Sequence, residues 1–364
     1  MTNAVALAQG ASNNVTFRNR IINGAMVIDQ RNAGASVTST SGFNYPVDRF
    51  FIIKDTATTG VMTAQQSSTA PSGFTNSVKL TTTTTQSSLA ATDYMRYSQI
   101  IEGYNVADLN WGATAASAGQ TAKPVTLSFW VYSSLTGTFG GSLGNSAWNR
   151  TYPFTYTISS ANTWEQKSIT IAGDTSGTWL TTNGTGLRVD FGLGVGSTYS
   201  GTAGSWASAL YISATGATNV MATNGATFYL TGVQLEAGTT ASPFEYRQYG
   251  TELALCQRYY ESYSNGTGTS AIYEGLGGYF ANSTTFRTAV PFKVTKRASP
   301  TVSIPTTYLT VNCTAGNLTP SSAGSNFASP DGATINCNTS AVTGGQGGTL
   351  GISSSAPITI SSEL

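Results

Sequence analysis

Histidine is absent from all 364 residues, and Asp, Glu, Lys and Arg together supply only 9% of them. Without an imidazole the chain cannot build a Ser-His-Asp or Cys-His relay, a histidine-ligated zinc site or a histidine proton shuttle. Cysteine is nearly as scarce. Cys256, Cys313 and Cys337 are an odd number in a long chain, which argues against a disulfide framework. Cys313 and Cys337 fit buried thiols, with a cross-strand pair still open at this point. The net charge is +1 and the densest basic cluster is Lys293, Lys296 and Arg297, so the clustered cations that nucleic acid requires are missing. No apolar stretch approaches the roughly 18 to 20 residues of a membrane span. Met1–Gly10 also lacks the positive n-region of a secretory signal.

What the chain does hold is 40 glycines, 18 tyrosines, 15 phenylalanines and six tryptophans, with 40% hydrophobic residues overall. Charge at 9% is far under the roughly 25% of ordinary soluble domains, so solubility falls to Thr, Ser, Asn and Gln. Aromatic and β-branched side chains suit pleated strands, while Gly and Asn fill tight turns. The expected class is therefore all-β.

Short strand-like segments recur from residue 44 to about 235, separated by Gly/Ser/Thr turns: DRFFIIK, SVKLTTT, MRYSQIIEG, VTLSFWVYS, RTYPFTYTI, EQKSITI, LRVDFGLGV, ALYIS and TFYLTGVQL. Val125, Leu127, Phe129 and Val131 share one face of their strand and Thr126, Ser128 and Trp130 the other. Many short strands without helical periodicity predict a large β-sandwich or jelly roll over residues 44–242. Before it, residues 1–43 are expected to form a docking arm, aperiodic through Phe17, followed over Arg18–Arg31 by a strand, a turn at Asn23-Gly24 and a second strand. After it, residues 243–263 are expected as a linking helix, capped by Thr251, with Leu253, Cys256 and Tyr260 on one face. Residues 264–364 read as a smaller C-terminal β-sandwich, with long loops over the low-complexity segment 314–351 and a last strand in PITISSEL.

Flat aromatic rings beside short polar side chains suit the apolar faces and hydroxyls of a neutral saccharide. Four tryptophans sit in turn-like segments rich in such groups: Trp111, Trp148 with Asn149 and Arg150, Trp179 with Asn183, and Trp206 with Tyr199 nearby. These eight residues are the candidate glycan contacts, each weighed against an ordinary role closing the sandwich rim. Arg150 adds a fork suited to an acidic sugar or a phosphate. Trp130 and Trp164 lie in or next to strands and are assigned to packing. Folding could unite scattered carboxylates such as Asp48, Glu102, Asp108, Asp174 and Asp190 into a glycosidase pair. Acids that flank strands, however, ordinarily pair with arginine or accept turn amides, and no catalytic residue is assigned. No Asp-dense loop of EF-hand or repeat type occurs. If calcium were bound, Asp29, Asp48 and Glu236 are where its oxygen ligands would be sought, and otherwise no cofactor is expected.

Taken together, NRIINGAMVIDQR, YPVDRFF, TLSFWVYSS, FYLTGVQLEAG followed by SPFEYRQYGTELALCQRYYES, and a closing SSEL resemble a group of phage tail-fibre and receptor-binding proteins. The resemblance spans residues 18–263 well and the remainder loosely. It implies a carbohydrate-binding-module-like jelly roll in a homotrimeric fibre, anchored to other virion proteins by its N-terminal peptide. It also implies an opening strand over Asn19–Asp29 and a closing strand over Phe228–Glu236. Related modules often carry an Asp near a calcium in that closing strand, where this chain reads Thr231-Gly232-Val233-Gln234. The expected role is a tail-fibre or tail-tip subunit on the virion exterior that binds host-surface polysaccharide without cleaving it. The alternatives are a purely structural capsid or tail decoration protein and a glycan depolymerase.

Overall fold

The computed structural model describes residues 17–264, 275–306, 309–353 and 355–364. The arm expected at the N-terminus lies outside the described residues up to residue 16. Two compact units divide the chain, the first ending at Gln248 and including Leu364, the second running from Tyr249 to Glu363.

The first unit holds β1 (Val37–Thr38), β2 (Asn44–Val47), β3 (Phe50–Lys54), β4 (Val61–Ser67), β5 (Ser77–Thr84), β6 (Tyr94–Glu102), β7 (Val125–Ser133), β8 (Gly137–Gly144), β9 (Thr151–Ile158), β10 (Glu165–Ile171), β11 (Thr185–Val195), β12 (Ser200–Gly201), β13 (Ser213–Ala214) and β14 (Thr227–Ala237). Twelve of these form two six-stranded sheets, ordered β1-β4-β5-β14-β7-β10 and β2-β3-β6-β11-β8-β9. Every pairing within both is antiparallel. The result is the expected sandwich of jelly-roll kind, with the late strand β14 inserted at the middle of its sheet.

Alternation explains why the sheets face one another. Val125, Leu127, Phe129 and Val131 of β7 are wholly buried, as are Leu187, Val189, Phe191 and Leu193 of β11. Phe129 meets Phe191 edge-to-face across the sheets at 5.1 Å, and Phe139 packs near Phe228 at 5.9 Å. Each such ring contributes about 1.5–3 kcal/mol by leaving water.

The opening strand does not form. Residues 18–36 run without regular strand, and Asn23 and Met26 take left-handed backbone at φ 60° and 57°. Ile21, Ile22, Met26 and Ile28 are nonetheless buried, because polar side chains take the place of a strand ladder. Asn23 donates to the carbonyls of Ile28 and Asp48, Gln99 exchanges hydrogen bonds with the backbone of Ile22, and Asn19 accepts from Ile21 and Leu235 amides. The segment is a hydrogen-bonded plug beside β14, whose own course over Thr227–Ala237 matches the expected closing strand.

In the second unit the helix covers Tyr249–Gln257 only. Tyr260–Tyr263 (β15), expected as helix, is a strand instead, because it finds a partner in Ile358–Ser361. A seven-stranded sheet and a three-stranded sheet follow from β16 (Leu276–Phe280), β17 (Thr285–Pro291), β18 (Thr301–Ser303), β19 (Leu309–Cys313), β20 (Gly316–Leu318), β21 (Ser322–Ser329), β22 (Gly332–Asn338), β23 (Gly347–Ile352) and β24 (Ile358–Ser361). Ile358 and Ile360 of the smaller sheet share a core with Phe280, Phe286, Ile335 and Leu350 of the larger. The long loops expected over 314–351 are therefore largely strands. Low complexity hid an alternation in Gly332–Asn338, where Ala333, Ile335 and Cys337 are buried. Of the cations at 293–297, the Lys296 ammonium is buried 2.6 Å from Glu261 and 2.6 Å from the Gln257 carbonyl. Burial lowers the Lys296 pKa, and Glu261 opposes that shift.

All three cysteines are free thiols. Cys313 on β19 and Cys337 on β22 are separated by β23, β16 and β17, a span of about 19 Å at the usual strand spacing. A disulfide needs Cα atoms within about 7 Å, so the pair is excluded. Burial pushes the Cys337 thiol up to about 12, leaving almost no thiolate at pH 8. With a thiol reagent at pH 8, half-buried Cys313 should react in the native protein while Cys337 stays unmodified until denaturant is added, which mass spectrometry of labelled peptides will show.

Candidate functional site

Three of the four loop tryptophans converge. The rings of Trp111, Trp179 and Trp206 stand edge-to-face at 4.8, 5.3 and 5.3 Å. Their indole N–H groups donate inward, Trp111 to the Lys123 carbonyl, Trp179 to Asp174 and the Ser176 carbonyl, and Trp206 to the Ala172 carbonyl. Trp111 and Trp179 keep 7% and 9% of their surface, so neither offers a ring face to a sugar. Trp206 is half-buried and also packs on Tyr152 at 5.3 Å. The rim-closing role considered for each indole holds for the first two. Beside them lies a cavity of about 390 Å³ lined by Leu109, Asn110, Trp111, Thr114, Trp179 and Thr181.

Arg150 is likewise committed to structure. Its guanidinium meets Asp174 through two parallel hydrogen bonds of 2.8 and 2.6 Å, and Nη1 donates to Ser208. Those bonds to Asp174 raise the Arg150 pKa. A fork closed on a buried carboxylate is not free for a ligand, so the expected contact to an acidic sugar or phosphate is withdrawn from Arg150. Asn149 is exposed and exchanges hydrogen bonds with Asn145, and Asn183 is exposed on its loop.

Trp148 lies elsewhere, on the outward face of the sheet that carries β11. Inward burial of Leu187, Val189, Phe191 and Leu193 sends Arg188, Asp190 and Gly192 the other way. Across β6 the ladder pairs Asp190 with Ser98 and Gly192 with Arg96. Arg96 and Ser98 both donate to Asp190 Oδ1 at 2.5 Å, and Asp190 is fully buried. The β8–β9 hairpin folds Trp148 back above this row. A Cβ placed on Gly144 would sit 3.9 Å from its ring, and its backbone is left-handed at φ 57°, a conformation unfavourable for a bulky residue. Its ring takes the Arg96 guanidinium at 4.7 Å and that of Arg188 at 4.6 Å, close enough for cation–π attraction.

The neighbouring floor is built from glycine. A Cβ on Gly140 or Gly192 would fall 2.3 or 2.7 Å from Ser213 Oγ, so only glycine lets β13 cross the sheet there. Tyr199 reaches the same face by standing edge-on to Tyr94 at 5.6 Å, and Tyr94 in turn lies 5.8 Å from Arg96. The structure thus connects Trp148 and Tyr199 of the sequence candidates only through Arg96 and Tyr94, with Arg188 and Asp190 near Arg96 and Trp148. Alternation in MRYSQIIEG and LRVDFGLGV places Arg96 with Ser98, and Arg188 with Asp190. Only the ladder shows that the two pairs are neighbours.

The carboxylates considered for calcium are occupied by protein donors. Asp29 accepts from the amides of Arg31, Asn32 and Gly34, Asp48 from Gln30 and Arg31, and Glu236 from Gln234 and Ser242. No group of three or more acidic or cysteine side chains suited to a metal ion occurs among the described residues. Of the acids considered for catalysis, Asp48, Asp108, Asp174 and Asp190 are each ion-paired. No helix among the described residues is long and apolar enough to cross a membrane.

No protein-family model matches the chain, and no curated protein matches it. Among solved structures, it is similar to the enzymatically active domain of bacteriophage CBA120 tailspike protein 4, with 11% identity and a TM-score of 0.31 over 61% of this chain. It spans 22% of that protein's length. It is also similar to a family 11 carbohydrate-binding module from Clostridium thermocellum in complex with a β-1,3-1,4-mixed-linked tetrasaccharide, at 11% identity and a TM-score of 0.30, covering 58% of this chain and all of that one. A third is TmCBM61 in complex with β-1,4-galactotriose, at 11% identity and a TM-score of 0.27, covering 61% and 99%.

The two kinds of tryptophan should separate on substitution. Trp111→Ala opens a core cavity and should cost about 3–5 kcal/mol in urea-monitored stability. For Trp148→Gly, relief of the left-handed backbone offsets part of the lost packing, and the cost should stay under about 2 kcal/mol.

Proposed function

We propose that this chain is a phage virion protein, a tail-fibre or tail-tip subunit, that binds host-surface glycan through the outward face of the sheet carrying β11 and does not cleave it. The observation that carries the binding reading is Trp148, a half-buried ring held in left-handed backbone above two arginines. Holding a bulky residue in an unfavourable conformation costs about 1–3 kcal/mol, a cost that a function of the ring would explain. The virion reading is supported by the resemblance of residues 18–263 to tail-fibre and receptor-binding proteins. On this reading the chain sits on the virion exterior as a homotrimer. Three copies per fibre would multiply weak single-site binding through effective concentration.

The sealed indoles Trp111 and Trp179 favour a second reading, a decoration protein whose aromatic loops serve only rigidity. The two part company in one assay. Native affinity electrophoresis through gels cast with bacterial surface polysaccharides should retard the wild-type chain in at least one gel. Trp148→Ala should lose about tenfold or more in affinity there, with Trp164→Ala unchanged. Equal retardation of Trp148→Ala and wild type would remove the proposed surface. No new reducing ends should appear in the retarding polysaccharide, and their appearance would establish a depolymerase instead.

A further inference from the structure

We propose that Arg188 is an anion-recognition residue and that the saccharide taken by this surface is acidic, its carboxylate meeting the Arg188 guanidinium while its ring lies against Trp148. This rests on the glycan-binding reading above and narrows it to a substrate class.

Arg188 stands apart from the arginines around it. Arg96 is paired with Asp190, Arg150 with Asp174 and Arg31 with Asp48. Arg188 has neither ion pair nor hydrogen bond among the described residues, and the Trp148 ring at 4.6 Å is its sole close polarisable neighbour. Asp190 is two residues away on the same face, but its Oδ1 bonds Arg96 and Ser98 and its Oδ2 bonds no side chain, Arg188 included. Between them, Arg96, Arg188 and Asp190 carry one net positive charge. Arg188 is also partly desolvated. Burial lowers its pKa to about 10, with the charge of Asp190 opposing the shift and that of Arg96 adding to it.

A half-buried cation without a counter-ion is unfavourable in the free protein and is relieved when an anion arrives. Geometry says which kind of anion. Nε of Arg188 is buried without an acceptor, whereas the two terminal nitrogens are not sealed, so the open end of the fork faces outward. That end offers two parallel N–H donors, the pattern that a planar carboxylate matches with both oxygens. Trp148 places an aromatic surface within one side-chain length of the fork. The two together match a sugar ring bearing a carboxylate, which distinguishes them from a site for a free inorganic ion. The neutral saccharide expected from flat rings beside short polar groups is replaced by one whose charge this single residue would meet.

The test is a glycan array probed with the full chain and with Arg188→Gln, which keeps a polar side chain of similar length and removes the charge. The array carries uronate- and sialate-bearing polysaccharides, their carboxyl-reduced counterparts, and phosphate- and sulfate-bearing ones. Wild type should bind at least one carboxylate-bearing glycan, and bind its carboxyl-reduced counterpart about tenfold or more weakly. Arg188→Gln should lose that preference while unfolding at the same temperature or higher, because it removes a desolvated charge. If wild type prefers phosphate or sulfate glycans and Arg188→Gln abolishes this, the residue reads anions but the carboxylate assignment is wrong. Equal binding of a carboxylate glycan and its reduced form, lost on Trp148→Ala, would overturn the acidic assignment and leave glycan binding standing. Binding to no member of the array would remove both.

Discussion

The register of β11 is the constraint on which the surface depends. Leu187, Val189, Phe191 and Leu193 must face the opposite sheet, because together they supply the centre of the core against Phe129. A slip of one residue would turn Arg188 and Asp190 into that core and expose four large apolar side chains. Hydrophobic burial therefore aims a cation and an anion outward from adjacent positions of one strand. The ladder to β6 then sets Ser98 and Arg96 against Asp190 Oδ1, while Arg188 forms no hydrogen bond with that carboxylate.

The same logic separates the tryptophans. Each lies in a glycine- and asparagine-rich turn, and in each the indole is amphipathic, with one polar N–H and a large apolar body. Trp111, Trp179 and Trp206 meet at one end of the sandwich, where every N–H finds an oxygen and the rings exclude water from one another. With Arg150, Asp174 and Asn145 they clasp these loops together. Trp148 comes from the hairpin that carries Arg150, yet it turns to the sheet face and meets cations rather than other indoles. Four residues of one type in similar local sequence thus divide between a structural knot and the outward side of a sheet.

Polar residues outnumber charged ones throughout, and the structure shows what this permits. The segment at 18–36 packs apolar side chains without strand hydrogen bonding, because Asn19, Asn23 and Gln99 satisfy the backbone groups that a ladder would have paired. The few charges that do enter the interior are held by partners, Arg96 with Asp190, Lys296 with Glu261, and Asp93 by donors from Thr58, Gln86 and the Ala90 amide, as the cost of burying a lone ion requires. Against that rule the isolation of Arg188 stands out.

The amino-acid sequence by itself determined the all-β class, the alternation that assigns faces within each strand, and the exclusion of histidine chemistry, since these depend on composition and on neighbours two positions apart. It misplaced the opening strand, the end of the helix and the strands within 314–351, where the partner that stabilises or replaces a strand is distant in the chain. Only the tertiary structure decided that Arg150 is closed on Asp174 while Arg188 is open, and that two of the four loop indoles are sealed. Arg96 and Asp190 are 94 positions apart, and Trp148 reaches Arg96 from a hairpin some fifty residues on. Local periodicity carries no information about such meetings, because which side chains become neighbours is set by strand order, and strand order by the burial of the whole core.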